Sequence, residues 1–403
     1  MMRSLLLLGG SHQQVIAIKI AKKLGFRTVL CDYLGDNPGQ YVADVFYQVS
    51  TTDIAAIEKI AAKEKIDGIL AYASDPAALT AAVVAEKHGL PGNPAASVNI
   101  LSKKHLFREF LRENNYPVPK SESFDTSISK SELFARMNLM DFPLVVKPSD
   151  SSGSKGVSVV DSLSEAERAV DTAFKQSRNN IIIVEEYINN ILPFVIGGDV
   201  LVEKGSIVFS GLMRCLRDTN SKLVPTGEIY PSGLNAVQKN RINELIQDVF
   251  NSLNIEFGEF NIEVIIGEDE KPYIIEIGPR AGGNMIPMQL SDALKFDFVE
   301  ANVCFAMGLP IGKVNSNIAN AISFATYVIH SEHKGIYKGI NIRPDFESAL
   351  YRKVMYVKKG QKVDGFSGAD KAIGILFFRL EDIEQREEFI QNFSKIITVK
   401  VEQ

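Results

Sequence analysis

Apolar and polar positions in the first hundred residues follow the rhythm of a strand and then a helix, repeated along the chain. Apolar runs lie in "SLLLLGG", "RTVLCDY", "ADVFYQV" and "DGILAYAS", and each of them predicts a strand. Helical periodicity follows in the segments 13–24, 54–64 and 76–87. Strands that alternate with helices in this way predict a parallel sheet with helices on both faces.

Polar or small residues end three of these predicted strands. They are Gly9, Gly10 and Ser11 after the first strand, Asp32 after the second, and Ser74 with Asp75 after the last. Ligands of parallel sheets bind beyond the carboxyl ends of the strands, so these residues are candidate ligand contacts. The turn "GGSHQQ" does not fit G-x-G-x-x-G, which disfavours a dinucleotide. It is either a tight strand-to-helix turn or an anion site at the helix N-terminus.

The pattern changes near residue 99. "SVNILSKKHLFREFLRENN" predicts one amphipathic helix, and "FPLVVKPSDSSGSKGVSVV" predicts two β-rich runs around a flexible loop. Further helices are predicted at 164–176, 235–253 and 382–392, and sheet-like stretches at 181–188, 195–209 and 259–277. After Pro310 the chain is again rich in strands, through Phe378. The fold class expected is therefore α/β followed by α+β, divided at about residues 98 and 309.

Composition narrows the class of protein. At 403 residues the chain is too long for one compact core, so two or three domains are expected. The net charge of -5 argues against a nucleic-acid partner, and no apolar run approaches the roughly 20 residues of a membrane span. Cys31, Cys215 and Cys304 lie far apart without metal-binding spacing, which suits a reducing compartment. A cytoplasmic protein is expected.

A pair of glutamates carries the clearest chemistry. The strands "FGEFNIEVII" and "PYIIEIG" are joined by "GEDEK", and a hairpin symmetric about Asp269 and Glu270 places Glu263 opposite Glu276. Their Cβ atoms would then lie about 4.5–5.5 Å apart, which is unfavourable unless something compensates the two charges. A Mg²⁺ ion would do so. A shared proton, or a one-residue slip that turns one glutamate to solvent, would also relieve the repulsion.

Two further motifs each have two interpretations. Lys147 ends an apolar strand just before a loop of serines and glycines at 151–156, which is either a flexible hairpin end or a phosphate-binding loop. The strand "IIIVEEYI" either emerges at the edge of a sheet or forms a hinge whose backbone binds a planar base.

The order and spacing of these motifs resemble those of ATP-grasp enzymes, over nearly the whole chain. The resemblance implies a Rossmann-like preATP-grasp domain at 1–98, a two-part ATP-grasp fold at 99–309 and a small C-terminal α+β domain at 310–403. The lid subdomain would span about 118–188. The chain resembles phosphoribosylamine–glycine ligase and its purine-pathway relatives, and single-copy ATP-grasp proteins that are like carbamoyl-phosphate synthase.

The resemblance also assigns roles to residues. It implies ATP contacts from Lys104, Lys147, Ser152, Gly153, Ser154, Gly156, Glu185, Glu186, Tyr187 and Ile188. Glu185 and Tyr187 would offer backbone groups to adenine, Glu263 and Glu276 would hold Mg²⁺ (with Mn²⁺ as the alternative), and Arg280 and Lys147 would be catalytic. Gly278 stands where the family usually has a metal-binding asparagine, so a water or Asn284 would have to replace that ligand.

The function implied by the resemblance is an ATP- and Mg²⁺-dependent ligase. It would activate a small-molecule carboxylate as an acyl phosphate for attack by an amine, beside Gly9, Gly10, Ser11, Ser74, Asp75 and Asn284. Because family members are commonly dimers, a homodimer is an expectation too. Two other functions stay open at this point: an ATP-binding module without turnover, and a dinucleotide-dependent oxidoreductase.

Overall fold

A computed structural model describes residues 2–217, 224–314, 322–366, 368 and 371–403. Its first part is a parallel sheet of four strands in the order β3-β2-β1-β4, flanked by three helices, which confirms the predicted class. These elements are β1 Ser4–Leu8, α1 Val15–Lys23, β2 Arg27–Asp32, β3 Val45–Gln48, α2 Ile54–Glu64, β4 Gly68–Leu70 and α3 Asp75–His88. A short 3₁₀ turn occupies Pro38–Tyr41.

Both faces of this first sheet are covered, as the unbroken apolar runs require. Ala17, Ile18 and Ala21 of α1 pack on one face. Ile57 of α2 and Val84 of α3 pack on the other face. The carboxyl ends of the strands remain open beyond these helices.

The predicted amphipathic helix after residue 98 is two helices, which corrects that prediction. α4 spans Ala95–Ser102 and α5 spans Lys104–Glu113. Lys103 between them has extended backbone angles (φ -127°, ψ 112°), so the helix cannot continue through it. The break lets the backbone N–H of Lys104 donate to the Ser149 carbonyl at 2.8 Å, which joins α5 to the sheet that follows.

That second sheet holds the candidate phosphate-binding loop. Its four strands have the order β5-β8-β6-β7, and two helices pack on one face of the sheet. The elements are β5 Ser121–Asp125, α6 Lys130–Met137, β6 Leu144–Pro148, β7 Ser158–Val160, α7 Leu163–Gln176 and β8 Ile181–Glu186. Leu144, Val146, Ile182 and Val184 point to the helices, so alternate residues such as Lys147 and Glu185 point to the opposite face.

The third and largest sheet is antiparallel, and eight strands of the described ranges form it in the order β13-β12-β9-β10-β11-β14-β18-β16. The strands are β9 Ile196–Glu203, β10 Ser206–Arg217, β11 Pro225–Tyr230, β12 Phe257–Ile266, β13 Pro272–Gly278, β14 Ser323–Ile329, β16 Leu350–Met355 and β18 Gly374–Leu380. The helices beside it are α8 Ala236–Ser252, α9 Ile286–Leu294 and α10 Phe298–Ala306. The predicted stretch 195–209 is thus two strands, with Lys204 and Gly205 in positive-φ conformations between them.

One face of the large sheet packs on α8 and α5. Ile262 and Val264 of β12 meet Ile246 and Phe250 there, and the Phe250 and Phe260 ring centroids lie 4.7 Å apart. Full burial of each such side chain contributes about 1.5–3 kcal/mol. The other face carries Asn261 and Glu263, because side chains alternate along a strand. The polar residues of the candidate site therefore share one face of the sheet.

The remaining residues form a small sheet, β17-β15-β19, with a helix against it. The elements are β15 Gly335–Ile342, α11 Pro344–Glu347, β17 Lys362–Val363, α12 Ile383–Ile396 and β19 Ile397–Glu402. Strands β14, β16 and β18 follow residue 310 in the chain but continue the large sheet, so the domain boundary proposed at 309 divides a continuous sheet. The domain boundaries stay a prediction. In the described part of the chain, no helix has both the length and the apolarity to span a membrane.

Candidate active site

The two glutamates of the β12–β13 hairpin lie opposite each other. Glu263 and Glu276 are Cα partners, which confirms the predicted register and is incompatible with a slip by one residue. The pairing shifts by one residue just beyond this point, between Glu263 and Val264. Both carboxylates consequently project from the same face of the sheet.

Each of these carboxylates lies against a cation. Lys104 Nζ is 3.1 Å from Glu276 Oε2, and Arg217 Nη2 is 3.1 Å from Glu263 Oε1. The cations offset the repulsion of two facing carboxylates. The Arg217 contact was not predicted, although Arg217 falls on the Cys215 face of its strand and so could have been placed by alternation.

A cavity of about 1060 Å³ opens in front of the glutamates, between the second and the large sheet. Most of the residues predicted to bind ATP or metal line it: Lys104, Lys147, Gly153, Ser154, Glu185, Glu186, Tyr187, Ile188, Glu263 and Glu276. Such a volume suits a ligand of nucleotide size. The apolar part of the wall includes Val145, Val159, Ile265 and Ile275.

Lys147 lies in a buried group of three charges. Its Nζ pairs with Glu185 Oε1, and Arg108 Nε donates to Glu185 Oε2 at 2.9 Å. The side chains are 4%, 5% and 1% exposed for Lys147, Glu185 and Arg108. Burial, opposed by the charge of Glu185, lowers the pKa of Lys147 to about 8. The charges of Arg108 and Lys147 outweigh burial and keep the pKa of Glu185 low.

Arg108 also reaches the metal-binding hairpin. Its Nη2 donates at 2.8 Å to the carbonyl of Ile275, the residue before Glu276, where the β12–β13 pairing shifts. Because β13 is an edge strand, that carbonyl has no neighbouring strand on its outer side. Sequence analysis missed this arginine. Its signal is a charge beside the apolar residues Phe107 and Leu111 of α5.

The loop 151–156 contacts residues of the candidate site. Its Ser151 carbonyl accepts from Lys104 Nζ at 2.8 Å, and Ser152, after the larger effect of Arg280, helps to lower the pKa of Asp75. Gly156 has φ +76°, and a Cβ there would lie 2.8 Å from Gln176 Cβ, so a side chain has no room. The loop is therefore tied to two residues that were predicted to contact ligands.

The predicted hinge residues Glu185, Glu186 and Tyr187 differ in which of their groups already bond within the protein. The Tyr187 N–H donates to the Pro143 carbonyl at 3.0 Å, so this donor is used within the protein. Glu186 pairs with Lys120 at 3.1 Å. Glu185, for which a backbone role alone was predicted, also contributes its carboxylate to the buried charge group. Contacts from this hinge to adenine stay a prediction.

Arg280 is held by the first sheet rather than by the cavity wall. Its Nη2 lies 2.6 Å from Asp75 Oδ2 at the start of α3. A Cβ on Gly278 would approach Arg280 Cζ to 2.9 Å and Asp75 Oδ1 to 3.0 Å. A side chain at position 278 would therefore have to displace the ends of the Arg280 and Asp75 side chains.

Residues that were not predicted from the sequence hold the turn that carries Arg280 through hydrogen bonds. Asp199 Oδ2 accepts from the Gly282 N–H at 2.8 Å, and the Asn261 N–H donates to the Arg280 carbonyl at 3.0 Å. Burial and the facing Asp199 carboxylate raise the pKa of Glu259. The raised pKa favours a neutral Glu259, which lessens the repulsion between these two buried acids. The strand pattern alone gives no sign of this convergence.

At the first sheet, the Gly9 turn uses its own donors. The Gly10 N–H donates to Asp32 Oδ2 at 2.7 Å and the Ser11 N–H to Gln14 Oε1 at 2.8 Å. Gly9 has φ +108°, a conformation that favours glycine. These bonds favour the tight-turn interpretation over an anion site. Ser74 precedes α3 without a side-chain cap bond, beside Asp75.

Asn284, the other predicted substrate contact, lies four residues beyond Arg280. Its amide nitrogen is 3.4 Å from Glu228 Oε1, and the residue has φ +51°. The structure therefore places Asn284 beside an acid of β11. Gln13 next to the Gly9 turn approaches the same segment, because its Oε1 would lie 3.9 Å from a Cβ on Gly283.

Comparison with known proteins agrees with this arrangement. Residues 101–284 match the family model of the ATP-grasp domain. The chain contains an ATP-grasp domain. The matched segment runs from α4 to the Arg280 turn and so includes Lys104, Lys147 and both glutamates.

Relatives of the ATP-grasp chain include the carbamoyl phosphate synthase large chain of Pyrococcus furiosus, 27% identical over 239 residues. That match covers 56% of this chain and 22% of the relative, so the chain spans less than a third of the length of such relatives. Among solved structures, the L-amino acid ligase from Bacillus licheniformis has a TM-score of 0.80 at 18% identity, covering 100% of this chain and 99% of that one. The phosphoribosylglycinamide synthetase from Anaerococcus prevotii has a TM-score of 0.74 at 18% identity, covering 99% and 100%. These likenesses show that the ATP-grasp fold extends over the whole chain.

Proposed function

We propose that the protein is an ATP- and Mg²⁺-dependent ligase. It activates a carboxylate as an acyl phosphate and passes the acyl group to an amine, which forms a carbon–nitrogen bond and releases ADP and phosphate. Ligase names among the relatives and structural neighbours support this reaction class.

One observation carries the proposal. Glu263 and Glu276 lie side by side at a cavity of about 1060 Å³ that is also lined by Lys104 and Lys147. Two adjacent carboxylates suit a divalent cation, and the lysines suit the phosphates that such a cation accompanies. A site that only bound an uncharged base would need neither.

The donor set fits Mg²⁺ rather than an all-protein metal cage. The described ranges hold no group of three or more His, Cys, Asp or Glu side chains arranged for a metal. Mg²⁺ typically takes one or two carboxylates and completes its shell with phosphate and water oxygens. Glu263 and Glu276 would hold it, and bound there it would neutralise charge on the ATP phosphates.

The cations of the cavity have a clear use in this reaction. In the free protein Lys104 pairs with Glu276 and Arg217 pairs with Glu263. When nucleotide and metal bind, both cations are released to contact phosphate oxygens, while Lys147 approaches them from the second sheet. Arg280 then stabilises the negative charge that develops on the acyl oxygen, as positioned cations do in such transfers.

The test is ADP release by purified protein with Mg-ATP, over a matrix of carboxylic acids and amines. Wild type is expected to release ADP with at least one pair. Glu276→Gln is expected to lower that turnover by about a hundredfold or more, because transition-state charge loses its compensation. Mn²⁺ electron paramagnetic resonance in the presence of ATP is expected to show weaker metal binding by the same variant.

Glu270→Gln is the matched control, since Glu270 lies in the turn of the same hairpin and its side chain is largely exposed. It should behave as wild type in both measurements. ATP binding without ADP release from any pair would contradict the ligase and favour a module without turnover. Unchanged Mn²⁺ binding in Glu276→Gln would contradict the metal assignment alone.

A further inference from the structure

Glu228 on β11 is a buried carboxylate that lacks a cation. Its side chain belongs to a residue only 3% exposed, and burial raises its pKa to about 7. Thr326 Oγ1 donates to Oε2 at 3.0 Å, and the Asn284 amide lies 3.4 Å from Oε1. Among the described residues, no Lys, Arg or His forms an ion pair with this carboxylate within 4.0 Å. The charge of Arg217, which pairs with Glu263, only partly offsets the rise in the pKa of Glu228.

Four other acids of the site have a cation as partner. Asp75 pairs with Arg280, Glu185 with Lys147, and both hairpin glutamates with cations. A buried carboxylate without such a partner is costly, and proteins normally pair or neutralise it. Glu228 therefore has the charge balance of a residue whose partner is a ligand.

The position of Glu228 is suited to a substrate. It is the Cα partner of Cys215, and partners on antiparallel strands share one face of the sheet. Cys215 and Arg217 line the nucleotide cavity. On its other side Glu228 meets Asn284, four residues beyond Arg280. Glu228 thus connects the strand face that lines the cavity, through Cys215, with the segment that follows the Arg280 turn, through Asn284.

A second polar group beside it lacks a partner. Thr226 is two residues earlier on β11, where the pairing with β10 is irregular. It is fully buried, and its hydroxyl oxygen has no hydrogen-bond partner. A hydroxyl oxygen accepts hydrogen bonds as a carboxylate does. The two groups together provide acceptors and one negative charge.

We propose that Glu228, assisted by Thr226, binds an ammonium group of the substrate. Ammonium supplies a positive charge and three hydrogen-bond donors with no acceptor, which complements this pair. The inference rests on the proposed ligase function. The ammonium belongs either to the acid that is activated, which is then an amino acid, or to the amine that attacks.

The experiment measures binding and turnover of matched probes. Amino acids and their 2-hydroxy counterparts are titrated calorimetrically in the presence of Mg²⁺ and a non-hydrolysable ATP analogue, and simple primary amines are titrated beside them. ADP release is then measured with the same compounds and ATP. If the ammonium is on the acid, wild type prefers amino acids, and Glu228→Gln loses about tenfold to a hundredfold of that preference. If it is on the amine, the same variant raises the amine KM by a similar factor and leaves the KM of the acid unchanged.

Glu259→Gln is the matched control, because Glu259 is another buried acid of the same sheet whose neighbours are Asp199 and Asn302. It should leave the preference between amino and hydroxy acids as in wild type. The preference of the wild-type protein for amino acids over hydroxy acids is measured without any variant. It therefore remains measurable even if a variant does not fold. Equal binding of amine-bearing and amine-free probes, or an unchanged preference in Glu228→Gln, overturns the ammonium site while ADP release upholds the ligase. Preferential binding of ammonium compounds without any ADP release upholds the site and contradicts the ligase.

Discussion

The two lysines of the candidate ATP site lie in opposite environments. Lys147 is sealed in a group with Glu185 and Arg108, and each of these side chains is at most 5% exposed. Lys104 pairs with a Glu276 side chain that is 29% exposed, and Arg217 pairs with a Glu263 side chain that is 31% exposed. The first group is built into the protein, whereas the second pairs face the cavity.

This difference separates two tasks. A buried charge group keeps its partners because an unpaired ion in the interior is costly. The outer pairs are more exposed, with Lys104 and Arg217 at 11% and 16% and their glutamates at 29% and 31%. A more exposed pair is worth less, so its members can exchange partners when a ligand arrives. The Lys147 group therefore maintains the geometry between the second sheet and the metal hairpin, through the Arg108 bond to Ile275. The outer pairs, Lys104–Glu276 and Arg217–Glu263, keep their charges available for phosphate and metal.

The largest effect is expected from Glu185→Gln. Two buried cations, Lys147 and Arg108, would then face each other without a countercharge, which should lower the free energy of unfolding by about 3–5 kcal/mol. Urea unfolding followed by circular dichroism measures the change.

Glu263→Gln provides the contrast, because it also removes one carboxylate from a cation pair. Because the Glu263 side chain is 31% exposed and water can reach it, the loss of unfolding free energy should be smaller, at about 1 kcal/mol. Similar losses in the two variants would mean that the buried and the outer pairs do not differ as described.

The Arg280–Asp75 pair has side chains 11% and 25% exposed, close to those of the outer pairs, and Gly278→Asn tests it. This change restores the residue that ATP-grasp enzymes usually carry, but its Cβ would lie 2.9 Å from Arg280 Cζ. Relief of the overlap must displace the guanidinium, at a cost of about 1–3 kcal/mol in unfolding free energy. We expect ADP release to fall rather than rise.

Gly312→Asn is a suitable control for the added side chain, since a Cβ there would meet nothing closer than 3.8 Å. It should retain wild-type stability and turnover. An increase in metal affinity or turnover in Gly278→Asn would show that a side-chain ligand is accommodated beside Arg280 after all.

Much of this site could be predicted because its residues repeat with the period of a strand. Glu263 and Glu276 follow from a hairpin whose register is set by its short turn, and the observed pairing agrees. Lys147 was recognised because it ends an apolar strand just before a loop of serines and glycines. Such inferences need only residues that are near in sequence.

Other parts of the site could not be predicted, because they depend on contacts between residues far apart in sequence. Arg108 meets Glu185, 77 residues later, and Ile275, 167 residues later, and nothing local announces either contact. The split of one predicted helix at Lys103 arises from a bond to Ser149 in another sheet. Asp199 and Glu259 meet because two neighbouring strands and the Arg280 turn converge. Periodicity indicates which face a residue occupies, but not which distant partner lies on that face.

The smallest expected effect is a pH dependence that belongs to Lys147. Burial lowers the pKa of this lysine to about 8, so it is charged below that pH and becomes neutral above it. If the charged form binds the phosphates, the Kd of Mg-ATP should rise above pH 8 and approach a tenfold increase per pH unit. Calorimetric titration between pH 6.5 and about 9.5 measures this change in Kd. The range brackets the lowered pKa of Lys147 and stays below the reference pKa of a lysine, roughly 10.4. Lys147→Arg keeps its charge throughout this range and should show a nearly flat profile. A rise of equal steepness in that variant would assign the titration to another group and would remove the main distinction between the buried lysine and Lys104.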